Sequence, residues 1–346
     1  MIVMLRREAS PEQRAEITHA LVAAGARGPL HPVHAPAGDL YVVDGSAIGP
    51  RARARLSQLA GVERWLEIGT PYQLASRALQ PEKTIVRVGS VRIGGPEPVI
   101  VAGPCSVESA TLIMEAAEAA RAAGAHILRG GAYKPRSSPY SFQGLGAEGV
   151  ELLARAGASV GMPVVTEVME PALVGPVAEH ADMLQVGSRN MQNFPLLRAV
   201  GRAGRPVLLK RGFAATIDEW LLAAEYMLLE GNPHIILCER GIRGFDPQTR
   251  NVLDLACVPL LGQLTHLPVL VDPSHATGRR DLVVRLGVAA VAAGADGVMV
   301  EMHPRPDESI SDAGQSIAPA ELRELAARAH AVRDAMEAPV IPRGGD

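Results

Sequence analysis

PVIVAGPCSVESATLIMEAAEAARAAGAHILRGGAYKPRSS, residues 98–138, contains a strand, a helix and a second strand in that order. PVIVAGP (98–104) is a short apolar run rich in β-branched residues and stopped by Gly-Pro. ATLIMEAAEAARAAGA (110–125) has the length and alanine content of a helix. HILRGG (126–131) is apolar again and ends in a charge and two glycines. The same unit then recurs. Further runs are PVVTEV (163–168), MLQVGS (183–188), PVLLKR (206–211), IILCER (235–240), PVLVDP (268–273) and GVMVEM (297–302). Helical stretches such as GVELLARAGASVG (149–161), NFPLLRAVGRAG (193–204), TIDEWLLAAEYMLLEG (216–231) and RRDLVVRLGVAAVAAGA (279–295) separate them. Eight short apolar strands alternating with helices predict an α/β fold, a closed (β/α)8 TIM barrel over residues 98–338. A doubly wound open sheet is the alternative, but the first strand is not followed by a Gly-rich dinucleotide loop.

Upstream, the pattern is that of a smaller unit. MIVMLRR (1–7) reads as a strand. SPEQRAEITHALVAAGA (10–26) reads as a helix with Ser10 as N-cap, Pro11 at N1 and Gln13 at N3. A weak strand at HPVHA (31–35), a clearer one at DLYVVDG (39–45), a helix at PRARARLSQLAG (50–61) and a strand at VERWLEIG (62–69) follow. This βαββαβ order predicts a small ferredoxin-like domain over residues 1–80. Arg51, Arg53 and Arg55 lie along its second helix and read as a solvated face. TIVRVGSVRIGG (84–95) alternates about Gly89-Ser90 and predicts a hairpin in a linker, residues 81–97. The tail, residues 339–346, has no role that its sequence suggests.

Composition narrows the function. The chain has 346 residues, 47% hydrophobic, with a net charge of −3. That supports a large core and argues against a nucleic-acid binder, which would carry a strongly basic face. No apolar run approaches the roughly 18 residues of a membrane span, and the charged N-terminus lacks the pattern of a signal peptide. Three scattered cysteines make no disulfide framework, so a cytoplasmic setting is expected. Among 34 basic residues only Lys83, Lys134 and Lys210 are lysine. A compact ammonium and a planar guanidinium do different chemistry, so retained lysines are candidates for specific roles.

Barrel enzymes carry their chemistry at the C-terminal ends of the strands. Here those ends are charged where a mere core closure would be apolar. Cys105, His275, Glu301 and Asp312 fall on or beyond the first, seventh and eighth strands, neighbours once a barrel closes. Thiol, imidazole and carboxylate together suit a borderline divalent ion. Each alone has a plainer reading: a buried small side chain, a hydrogen-bonded histidine, a turn cap. Arg129, Lys134, Arg136, Arg189, Lys210 and Arg240 form a second set. Six cations at one mouth repel one another unless anions sit among them, which implies substrates bearing phosphate and carboxylate. Ser137 and Ser138 offer hydroxyl donors. Arg211, Arg243, Arg279 and Arg280 are expected to point outward, and Cys238 and Cys257 to be structural.

GPCSVES (103–109), LRGGAYKPRSSPYSFQGLG (128–146), GSRNMQN (187–193), LLKRG (208–212), ILCERGIR (236–243), DPSHATGRRD (272–281) and VEMHP (300–304) resemble, in order, the motifs of 3-deoxy-D-arabino-heptulosonate 7-phosphate (DAHP) synthases. The likeness is to the short bacterial branch with an N-terminal ferredoxin-like, ACT-like regulatory domain, and it extends over essentially the whole chain. It implies condensation of phosphoenolpyruvate with D-erythrose 4-phosphate, the first step of the shikimate pathway. It implies a divalent metal on Cys105, His275, Glu301 and Asp312, with Mn2+ foremost and Fe2+, Co2+, Zn2+ or Cd2+ as alternatives. It places phosphoenolpyruvate on Arg129, Lys134, Arg189, Lys210 and Arg240, and erythrose 4-phosphate on Arg136 and Ser137, with Asp312 also at the substrate. Ser137 stands where the family often has threonine, and the hydroxyl is kept. Lys134 lies between the two sets and is the candidate proton donor, in a catalytic group with Cys105 and His275. Tyrosine or phenylalanine is the implied effector, through a small domain that closes over the mouth, and a homotetramer is the implied assembly. The rivals are 3-deoxy-D-manno-octulosonate 8-phosphate synthase, which uses arabinose 5-phosphate and carries a Lys-Ala-Asn-Arg-Ser type segment where this chain has Lys134-Pro135-Arg136-Ser137, and a non-catalytic amino-acid sensor.

Overall fold

The computed structural model describes residues 1–35, 38–134, 138 and 140–338. The chain begins with β1 (Ile2–Leu5), α1 (Pro11–Ala23), β2 (Val33–Ala35), β3 (Gly38–Val42), α2 (Pro50–Leu56) and β4 (Val62–Leu66). Ser10 caps α1 in a complete capping box with Gln13, and Pro11 sits where no N–H is needed. The four strands form one sheet in the order β2-β3-β1-β4, with antiparallel neighbours, which is the ferredoxin-like arrangement. All four residues of β1 are buried because both faces of the sheet are covered. Val3, Leu5, Tyr41 and Val43 pack with Ile17, Leu21 and Leu56 of the two helices. Ile2, Met4, Val33 and Leu40, on the other face, join one continuous core with residues of the larger domain.

A hairpin of β5 (Val86–Val88) and β6 (Val91–Ile93) follows, turning at Gly89 with φ +57°. It does more than link. Val86, Val88 and Ile93 pack in one cluster with inward side chains from all eight barrel strands, among them Val99, Ile127, Val165, Met183, Leu208, Ile236, Leu270 and Met299. The hairpin therefore forms the floor of the barrel.

The barrel strands are β7 (Val99–Gly103), β8 (Ile127–Arg129), β9 (Val164–Glu167), β10 (Met183–Val186), β11 (Val207–Lys210), β12 (Ile235–Glu239), β13 (Val269–Val271) and β14 (Gly297–Glu301). They pair in parallel in chain order, and β14 closes on β7 from Gly297–Val99 to Glu301–Gly103. That closure excludes the open doubly wound sheet. Outside lie α3 (Ala110–Ala122), α4 (Ala147–Val160), α5 (Pro171–His180), α6 (Phe194–Arg202), α7 (Ile217–Leu229), α8 (Cys257–Leu264), the short α9 (Pro273–Thr277), α10 (Arg280–Ala292) and α11 (Pro319–Glu337). Lys83, the lysine remote from the strand ends, pairs with buried Asp296 at 2.7 Å, just before β14.

Residues 73–84 fasten the small domain to the barrel. Gln73 N and Ala75 N donate to Glu225 Oε1 on α7 at 2.9 and 2.7 Å. Thr84 N donates to His266 O, and His266 Nε2 lies 2.8 Å from Leu74 O. Burial pushes the Glu225 carboxyl above its ordinary range, against the opposing pull of those backbone N–H groups. A carboxyl whose folded pKa is raised disfavours the folded state once the pH exceeds its unfolded value and the group ionises. The Gln73 and Ala75 N–H groups both reach Oε1, an oxygen that glutamine keeps. Glu225→Gln is therefore expected to raise stability at pH 7.5, with the gain closing toward pH 4.5. Urea midpoints at the two pH values check this. A variant less stable than wild type at pH 7.5 means that the charge itself fastens the domain.

Candidate active site

Strand ends and the loops beyond them enclose a cavity of about 390 Å³ at the C-terminal face of the barrel. Arg129, Lys134, Arg189, Lys210 and Arg240 all line it, from β8, β10, β11, β12 and their loops. Among the described residues, none of the small domain does. That domain packs against the barrel flank at α7. Gly103 explains how Arg129 enters: a Cβ there would lie 2.0 Å from Arg129 O, so only glycine lets β7 and β8 approach at this point.

Cys105, Glu301 and Asp312 come together beside the cavity, each offering a ligand atom within 4.8 Å of the others. Donors about 2.0 to 2.3 Å from a common ion span such a distance, so this set fits a divalent metal. His275 adjoins them, with Nε2 at 3.1 Å from Glu301 Oε1. Asp312 has φ +55°, the one positive-φ position other than glycine among the described residues, a strained placement of the kind that functional sites retain. The Cys105 thiol contacts Lys134 Nζ at 3.0 Å and Asp312 Oδ2 at 3.2 Å. Burial and the nearby Glu301 charge push its pKa up to about 12, against Lys134 and Arg129. A metal binding there must displace that proton.

Behind these groups lies a buried charge network. Arg129 Nη1 meets Glu301 Oε1 at 2.7 Å, and Gln315 Nε2 meets Glu301 Oε2 at 2.5 Å. Lys210 Nζ meets Asp272 Oδ2 at 2.5 Å, and the same oxygen accepts from His275 Nδ1 at 2.7 Å. Asp272 Oδ1 caps the start of α9 by accepting from His275 N. Burial alone would raise both carboxyls. For Asp272, His275 and Lys210 outweigh it, and for Glu301, His275 and Arg129 do, so both stay far below the usual range. Arg136 and Ser137 lie outside the described residues.

Two sets of neighbours bear on this arrangement. The DAHP synthetase I family profile matches residues 76–338. The phospho-2-dehydro-3-deoxyheptonate aldolase of Thermotoga maritima is 50% identical over 282 residues, covering 82% of this chain and 83% of the relative. The chain belongs to the DAHP synthetase I family. The crystal structure of the Thermotoga maritima phospho-2-dehydro-3-deoxyheptonate aldolase (DAHP synthase) superposes with a TM-score of 0.77 at 43% identity, over 97% of each chain. A 2-dehydro-3-deoxyphosphooctonate aldolase of Bradyrhizobium is more distant, 32% identical over 74% of this chain and 95% of its own. The chain is thus an enzyme, a transferase of the 3-deoxy-7-phosphoheptulonate synthase type.

For this member of the DAHP synthetase I family, the structure corrects one sequence expectation. Arg211 does not point outward. It is buried, with Nη1 at 3.0 Å from Glu239 Oε2 and 2.9 Å from Asp254 Oδ2. The counterions stand 28 and 43 residues along the chain. Motif reading also missed Phe213, Glu167 and Arg250, all of which line the cavity. Arg250 Nη2 lies 3.3 Å from Asp312 Oδ1. Glu167 accepts from Gln185 Nε2 and fills the space that a Cβ on Gly187 would need. Glu167 ends β9 and is one of the charged strand ends in the sequence, but neither the ligand set nor the cation set includes it. Cys238 and Cys257 are buried and away from the ligand cluster.

Proposed function

We propose that the chain condenses phosphoenolpyruvate with D-erythrose 4-phosphate and water to give DAHP and phosphate, opening the shikimate pathway to the aromatic amino acids. The observation that carries this reading is the ring of Arg129, Lys134, Arg189, Lys210 and Arg240 around one cavity beside the Cys105, Glu301 and Asp312 cluster. Membership in the family and the names of its Thermotoga relatives support it.

The five cations hold the carboxylate and phosphate of phosphoenolpyruvate, and Arg136 and Ser137 hold the phosphate of the sugar. Two anions held in contact lose much of the entropic cost of meeting. Carbon 3 of phosphoenolpyruvate adds to the aldehyde carbon, water adds at carbon 2, and the carbon–oxygen bond to phosphate then breaks. The same cations take up charge on the departing phosphate. Lys134 donates the proton that the former aldehyde oxygen gains. Cys105, His275, Glu301 and Asp312 would hold Mn2+, or Fe2+, Co2+, Zn2+ or Cd2+. Such an ion supplies Lewis acidity toward the aldehyde oxygen. A His275 ring donating Nδ1–H to Asp272 turns Nε2 toward the cluster as a lone-pair donor.

The second reading is condensation with arabinose 5-phosphate, which the name of the Bradyrhizobium relative favours. Phosphate release from phosphoenolpyruvate, measured with each sugar phosphate before and after chelation, decides. Turnover is expected with erythrose 4-phosphate, abolished by chelation and restored by Mn2+. Turnover with arabinose 5-phosphate alone, or with neither, overturns the reading. Tyrosine or phenylalanine added to the same full-chain assay is expected to lower the rate through the small domain, and an indifferent enzyme refutes that role. A homotetramer and a cytoplasmic location complete the proposal. Among the described residues no helix is long and apolar enough to cross a membrane.

A further inference from the structure

Three guanidinium groups converge on one ring at the mouth. The central guanidinium carbon of Arg240 lies 4.7 Å from the centre of the Phe213 ring, that of Arg189 at 5.5 Å and that of Arg243 at 5.8 Å. All three fall within the roughly 6 Å over which the face of an aromatic ring attracts a cation. They come from different places: the turn after β10, the residue after β12, and the loop beyond it.

Arg240 is buried and Arg189 and Arg243 are exposed, and the three differ from the paired cations deeper in the site. Arg129, Lys210 and Arg211 each have a carboxylate: Glu301, Asp272 and Glu239. Among the described residues, no carboxylate forms an ion pair with Arg189, Arg240 or Arg243. The Arg240 side chain donates to backbone carbonyls, His275 O at 2.9 Å and Gly241 O at 3.4 Å. What the three share is the ring. The Phe213 carbonyl is held by the loop that carries Arg243, and the strand end two residues before it is held as well. Arg243 N donates to Phe213 O at 2.7 Å, and Arg211 N donates to Cys238 O at 3.0 Å.

The geometry points to Phe213 as a positioning residue whose ring gathers Arg189, Arg240 and Arg243 at the mouth without cancelling their charge. A carboxylate in that place would also gather them. It would, however, occupy their N–H donors and remove a unit of the positive charge that an anionic substrate needs. The ring quadrupole attracts the cations and leaves the net charge intact. The inference rests on the reading of this cavity as the phosphoenolpyruvate site and says what keeps its cations in place before the anion arrives.

The test compares Phe213→Leu, which keeps most of the volume and loses the ring, with Phe213→Tyr, which keeps the ring. Binding of inorganic phosphate and of phosphoenolpyruvate to the full chain is measured by calorimetry, with thermal midpoints and steady-state kinetics alongside. The leucine variant is expected to bind both anions about tenfold more weakly, with KM for phosphoenolpyruvate rising more than kcat falls. The tyrosine variant is expected to bind within about twofold of wild type. Leucine binding like wild type, or tyrosine binding tenfold more weakly, overturns the role of the ring. The tyrosine arm decides alone where the leucine variant fails to fold. A wild-type chain that binds phosphate but not phosphoenolpyruvate removes the substrate reading, and the phosphate arm then decides Phe213 by itself. A chain that binds neither overturns both.

Discussion

Replacing Lys134 by methionine is expected to lower kcat about a thousandfold while the chain still binds its metal. Lys134 is buried, and Nζ lies 2.9 Å from Cys105 O and 3.0 Å from Cys105 Sγ. The ammonium therefore stands between the ligand cluster and the substrate cavity, which it also lines. A positioned proton donor contributes on the order of 10² to 10⁴ in rate. Methionine keeps the length of the side chain and cannot donate. Removing the cation also takes away one contact to phosphoenolpyruvate, so KM is expected to rise as well. Metal content by elemental analysis and single-turnover kinetics separate the outcomes. Wild-type turnover in the variant refutes the proton-donor role. Lost turnover with lost metal assigns Lys134 to holding Cys105 instead.

The barrel was legible because its strands are buried on both faces and so appear as continuous apolar runs, each stopped by a polar residue. The same stops named the site: Arg129, Lys210 and Arg240 are the polar residues that end HILRGG, PVLLKR and IILCER, and all three line one cavity. Pairing across the chain was not legible. Arg211 reads as a surface residue because nothing near it in sequence marks it as buried. Its counterions, Glu239 and Asp254, reach it only after β11 and β12 pair and the loop beyond β12 folds back. Phe213 was missed for a related reason: a ring that draws three arginines from separate loops leaves no spacing pattern. The alternation of VRVGSVRI identified a hairpin, but alternation says only that one face is buried. That the covering partner is the inside of a barrel floor follows from packing alone.

Asp272→Asn is expected to destabilise the metal-free chain by about 3 kcal/mol and to weaken metal binding tenfold or more. The carboxylate is fully buried, and its two oxygens do separate work. Oδ1 accepts from His275 N at the start of α9, a bond that the amide oxygen can keep. Oδ2 holds Lys210 and His275 Nδ1 at once. An asparagine leaves the buried Lys210 ammonium without its counter-charge, which costs about as much as breaking any buried pair by removing one partner. It also frees the His275 ring to turn, and loss of such a supporting carboxylate lowers metal affinity by about 10- to 100-fold. The pH dependence supplies an independent check. In the folded chain Asp272 lies below its unfolded value near 3.9, so its contribution is complete above about pH 5 and fades as the pH falls. Asparagine has no proton to gain. The gap between wild type and variant is therefore expected to narrow from pH 7.5 to pH 3, with the wild-type curve falling more steeply. Glu301, depressed in the same direction, keeps some acid sensitivity in both proteins. Urea midpoints of the chelated proteins across that range measure the gap. Parallel curves would mean that Asp272 is not held ionised in the fold, and the account of Lys210 and His275 as its partners would fall with it.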